Sequence, residues 1–69
     1  MNYIIGIHFL DGSTETFIFS RKEDAMARII EAFKKGFFSL TQGPPGQAQR
    51  DFYIPLSGVK EVILQVQVT

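Results

Sequence analysis

The chain has no cysteine. No disulfide can staple it, and no thiolate metal site can form. It has a single histidine, His8. A lone imidazole can move protons or titrate near neutral pH, but catalysis or metal binding needs convergent partners. His8 has neither a cysteine nor a paired carboxylate near it in sequence, and reads as a half-exposed sheet residue. There is no charge surplus either, because seven Lys and Arg balance seven Asp and Glu. A neutral chain has no general electrostatic pull on nucleic acid or on an anionic membrane. No apolar run approaches the ~20 residues that span a bilayer. The N-terminus lacks the basic start, apolar stretch and cleavage site of a signal peptide. A cytoplasmic location with no membrane partner is the expectation. The acids Asp11, Glu15, Glu23, Asp24, Glu31, Asp51 and Glu61 are scattered. No nucleophile–base order stands out among them, so no catalytic residue, cofactor or metal is expected, and the protein reads as non-enzymatic.

What is present argues for a packed fold. Apolar residues make up 45% of the chain, with seven Phe and two Tyr among them, which argues against a disordered chain. At 69 residues the chain reads as one domain. That is near the lower size limit, where roughly 60% of the unfolded surface is buried.

The clearest local signal is an amphipathic helix from Ser20 to Lys35. Ser20 and Glu23 have the spacing of a capping box, with Phe19 placed to staple the first turn. Gly36 suits the left-handed residue that ends a helix. At about 100° per residue, Ala25, Met26, Ile29, Ile30, Ala32 and Phe33 share one arc. Asp24–Arg28 and Glu31–Lys35 are acid-before-base pairs four apart.

Around the helix, period-two alternation marks strands. Asn2–Leu10 and Thr14–Phe19 flank Asp11-Gly12, a hairpin turn signal. Phe37–Gln42, Asp51–Pro55 and Lys60–Val68 follow, the last after a turn at Leu56–Gly58. The pattern ββαβββ predicts an α+β domain with one five-stranded antiparallel sheet in the order 2-1-3-4-5. The helix would cover one face, over Ile5, Ile7, Phe9, Phe17, Phe19, Phe38, Leu40, Phe52, Ile54, Val62, Leu64 and Val66. The opposite face would carry Ile4, Leu10, Ile18, Phe37, Tyr53 and Ile63, diluted by His8, Thr14, Thr16, Gln65 and Gln67. One helix cannot cover both faces, which makes this second apolar set the candidate self-association surface.

The segment Gly43–Arg50 is the other candidate site. Its glycines allow close backbone approach, and Arg50 could grip a phosphate or carboxylate with two parallel bonds. Gly43, Gly46, Gln47 and Arg50 are the candidate contacts. The spacing matches no phosphate loop, and Pro44 and Pro45 lack the N–H donors an anion nest needs. A mobile connector between strands is the plainer reading. Arg21, Arg28 and Lys35 line one helix edge, but Asp24 and Glu31 interleave them, as on a solvated ion-paired face. Tyr3, Phe37 and Tyr53 could stack bases, though no RNA-binding motif accompanies them.

The layout of strand hairpin, helix and strand meander resembles that of many short bacterial and phage reading frames. No motif carries a family with it. The function expected is a self-associating interaction module, a homodimer first of all, with another protein as a further partner. It would pair through the open sheet face, where Ile18→Lys or Ile63→Lys should break it, or through an edge strand. The alternatives are a small-ligand or nucleotide-binding oligomer using the 43–50 loop, and a nucleic-acid binder. Charge neutrality counts against the last.

Overall fold

A computed structural model describes residues 1–43 and 46–68. The elements are β1 (Asn2–Phe9), β2 (Thr14–Phe19), α1 (Lys22–Lys35), β3 (Phe37–Gln42), β4 (Arg50–Pro55) and β5 (Val59–Gln67). A 3-10 turn at Leu56–Gly58 joins the last two strands. The class is α+β, as the alternation predicts.

The first hairpin turns on Asp11-Gly12. Gly12 adopts φ 92°, which a side chain disfavours. The Asp11 carboxylate accepts the Ser13 hydroxyl at 2.6 Å and the Ser13 backbone N–H at 2.9 Å. Those two bonds hold its pKa below the ordinary value of 3.8. The strand stops at Phe9. Leu10, expected within it, lies in the turn and donates its backbone N–H to the Gly58 carbonyl.

The helix starts later than its capping pattern predicts. Arg21 is the N-cap, extended at φ −125°, and no side chain caps the first turn. The Ser20–Glu23 box does not form; Glu23 pairs with the Arg21 guanidinium at 3.5 Å instead. The strand β2 runs through Phe19, whose side chain packs against the core. The chain stays extended at Arg21 as it leaves the sheet, and Ser20 is left one position too early to cap. Glu23 and Asp24 in the first turn and Lys34 and Lys35 in the last still complement the helix dipole. Gly36 closes the helix at φ 87°, donating its N–H to the Ala32 carbonyl at 2.8 Å.

The strands form two sheets rather than one. A three-stranded antiparallel sheet has the order β2-β1-β5, and β3 pairs only with β4. Strand β1 is central, as its two apolar faces predict, but its second neighbour is β5 and not β3. Nine-residue β5 can lie along all of β1 and places Leu64, Val62 and Val66 opposite Ile5, Ile7 and Tyr3. A six-residue β3 could offer fewer such cross-strand apolar pairs. The β3–β4 hairpin is thereby released to pack on the sheet's inner face beside α1.

The core lies between these layers. Ile5, Ile7 and Phe17 of the large sheet meet Ala25 and Ala32 of the helix and Phe38, Leu40 and Ile54 of the hairpin. Phe17 and Phe52 bind the layers with an edge-to-face contact, ring centroids 5.4 Å apart. The core set read from alternation is found there, except that Val66 is exposed.

Candidate functional site

The candidate self-association set is divided by the two-sheet arrangement. Ile4, Ile18 and Ile63 share the outer face of the large sheet: Ile4 pairs with Ile18 across β1–β2, and Ile63 lies opposite Gly6. Phe37 and Tyr53 belong to the hairpin, where their rings tilt together at 6.4 Å. Leu10 is in the first turn. The six residues therefore do not make one continuous face of one sheet. The outer face is also interrupted by Gly6, His8, Thr14 and Thr16, so its apolar part is narrow.

The loop set is partly brought together. The described residues are Gly43 and Gly46–Arg50; the reading of Pro44 and Pro45 lies outside them. Arg50 is the first residue of β4, opposite Gln42, and not a loop residue. Its guanidinium lies 5.6 Å from the Phe52 ring centre, a cation–π contact that engages it within the hairpin. Gly43 stands where the loop pinches: a Cβ there would come within 2.9 Å of the Gln49 Cα. Its small size is explained by that close approach without a ligand.

The cations of the helix edge, Arg21, Arg28 and Lys35, each have an acidic partner. Lys35 bonds Glu31 at 2.7 Å, as expected, while Arg28 reaches Glu31 at 3.9 Å instead of Asp24. The Lys35 ammonium, through its hydrogen bond and charge, holds the Glu31 carboxyl below its ordinary pKa. These pairs are exposed and contribute little to stability. His8 lies on the outer sheet face between Thr14 and Glu61. Among the described residues no three His, Asp or Glu gather closely enough to hold a metal.

The surface that periodicity misassigns is on the helix. Of its six-residue apolar arc only Ala25, Ala32 and Ile29 turn inward. Met26, Ile30 and Phe33 are exposed by 37%, 49% and 65%. Their spacing of four and three residues puts them on one flank. Phe33, at the end of that flank, lines a groove with Leu56, Val59, Lys60, Glu61 and Val62, beside the start of β5. The groove holds about 210 Å³, below the usual range for a small-molecule site but enough for an inserted side chain. Val62 and Leu64 are half-buried and Val66 is 53% exposed along the same inner face. The signal was present in the width of the apolar arc. An arc that includes both Ala25 and Ile30 spans more than a single packed layer covers.

No protein-family model, no curated protein and no solved structure matches this chain. Among the described residues, no helix is long and apolar enough to cross a membrane.

Proposed function

We propose that this chain is a non-enzymatic interaction module that associates with itself as a dimer, working in the cytoplasm. The observation that carries the reading is the apolar flank Met26, Ile30 and Phe33, exposed on one side of α1, with Phe33 in a groove beside half-buried Val59 and Val62. Single exposed apolar residues are ordinary, whereas a contiguous set along a groove marks a contact surface. The total surface supports the same reading. It is 4956 Å² for a mass of 7.8 kDa. A compact monomer of that mass exposes about 4,400 Å². The surplus, about 560 Å², is about two thirds of the roughly 800 Å² that each partner contributes to a standard interface. The radius of gyration, 12.0 Å, also exceeds the value of about 11 Å for a compact chain of this length.

The ligand-binding and nucleic-acid readings have less support. Arg50 is engaged over Phe52, and the helix cations Arg21, Arg28 and Lys35 are offset by acids. Light scattering across a concentration series tests the proposal. The expected mass is that of two chains at high concentration. A single-chain mass at hundreds of micromolar overturns it.

A further inference from the structure

Resting on that reading, we infer that the occupant of the α1–β5 groove is a second copy of this chain, docked by antiparallel pairing of the two β5 edges. The large sheet leaves one edge of β5 unpaired. Which backbone groups it presents follows from the ladder. Phe9 exchanges its N–H and C=O with the β2 side, through Ser13 and Gly12, and Leu10 donates to Gly58 on the β5 side. Alternation then points Ile4, Gly6 and His8 toward β5. Their partners Gln65, Ile63 and Glu61 point back toward β1. The free edge therefore offers the N–H and C=O groups of Val62, Leu64 and Val66. The same three residues carry the inner-face side chains.

Among the described residues, no charge, proline or bulge blunts this edge between Val62 and Val66. Natural edge strands are blunted by charge, proline or a bulge. Strand β5 has no proline, its only charges are Lys60 and Glu61 at one end, and its irregularity in register falls there too. The other edge of the sheet, β2, is shorter and displays Thr14, Glu15 and Thr16.

Symmetry restricts the pairing. Directly opposed residues in an antiparallel pair point to the same face. A two-fold axis through the sheet must therefore pass through one residue's self-pair, not between two residues. Leu64 on the axis sets Val62 opposite Val66, uses all three free-edge positions, and keeps Glu61 opposite Gln67 rather than its own copy. Three strands from each copy become one sheet. Both helices lie on the same side, and each Phe33, beside the start of its own β5, gains a partner surface. A self-complementary contact of this kind closes as a dimer.

Two measurements test the inference. The Val66→Pro substitution removes an edge-facing N–H and sets a ring in the seam, while the ladder to β1 keeps its bonds. It should remain folded by circular dichroism and become monomeric by light scattering. The native chain has no cysteine, so engineered thiols report without background. In this register Ile63 of one copy faces Gln65 of the other in a non-hydrogen-bonded pair, with Cα atoms about 4.5 Å apart. Oxidising a mixture of Ile63→Cys and Gln65→Cys chains should give the mixed disulfide in excess over either self-disulfide. A dimer that lacks this excess and survives Val66→Pro, or that dissociates with Ile18→Lys alone, overturns the edge-paired geometry and leaves self-association standing. A monomeric wild-type chain overturns both.

Discussion

Phe33 and Phe38 are the same residue type five positions apart, and the fold assigns them opposite roles. Phe38 is fully buried and Phe33 is 65% exposed. Truncating Phe38 to Ala should cost about 3–5 kcal/mol, from lost burial and a residual cavity. The whole stability of a chain this size is on the order of 3–10 kcal/mol. Phe38→Ala should therefore lose about a third of that stability or more, and unfold at the lower end of the range. Phe33→Ser should be different. In an isolated chain an exposed change shifts stability by about 0.5 kcal/mol or less. In a dimer that covers the ring, an aromatic side chain of roughly 200 Å² has about two thirds of its area to lose. At about 25 cal/mol per Å² that is up to about 3 kcal/mol per copy. If half is realised on each side, the dissociation constant rises on the order of a hundredfold. Sedimentation equilibrium gives that constant directly. Thermal unfolding at two protein concentrations gives a second readout. The wild-type midpoint should climb with concentration, and that of Phe33→Ser should not. The reasoning fails if Phe33→Ser associates as tightly as wild type. It fails equally if Phe33→Ser at high dilution is as unstable as Phe38→Ala, for then Phe33 belongs to the core.

Gly43→Ala and Gly58→Ala should separate: a Cβ at Gly43 meets backbone atoms at 2.9 and 3.0 Å, whereas one at Gly58 meets nothing within 4 Å. The first should lose about 1–3 kcal/mol to crowding, and the second should be neutral or gain up to ~1 kcal/mol from a stiffer unfolded chain, both read from urea midpoints. Gly36→Ala has open space but φ 87°, so it should destabilise by about 1 kcal/mol through the backbone alone and lower the melting midpoint by several degrees. The Asp11 carboxyl has a folded pKa below its unfolded value, so its contribution is fully present above pH about 4 and is lost as pH falls through the lowered folded value. Asp11→Asn should accordingly remove a small part of the acid-induced fall in melting midpoint below pH about 4, and an unchanged acid limb would show that the Ser13 bonds do not form.

The elements that depend on local chemistry were legible in the sequence. Alternation located all five strands, with β2 and β3 bounded at Thr14–Phe19 and Phe37–Gln42 as read. Asp11-Gly12 turned the first hairpin and Gly36 ended the helix, since both need a residue that tolerates positive φ. The inward residues of β1 and of the hairpin followed from the two-residue period. The capping box misled because a cap is defined by where the helix begins. The path of the chain out of β2 moved that point past Ser20.

Strand partnership was decided only by the tertiary structure. A strand's own sequence gives its faces but not its neighbour, because backbone hydrogen bonds are the same for every residue. Both β3 and β5 could have lain along β1. Length and cross-strand pairing with Ile5 and Ile7 selected β5, and that choice moved everything downstream. It split Phe37 and Tyr53 from Ile4, Ile18 and Ile63. It placed the hairpin beside the helix on the inner face. Met26, Ile30 and Phe33 were left exposed, with Phe33 beside the start of β5. Helical periodicity identifies an apolar stripe; which part of that stripe is covered depends on what the rest of the chain has already packed against it.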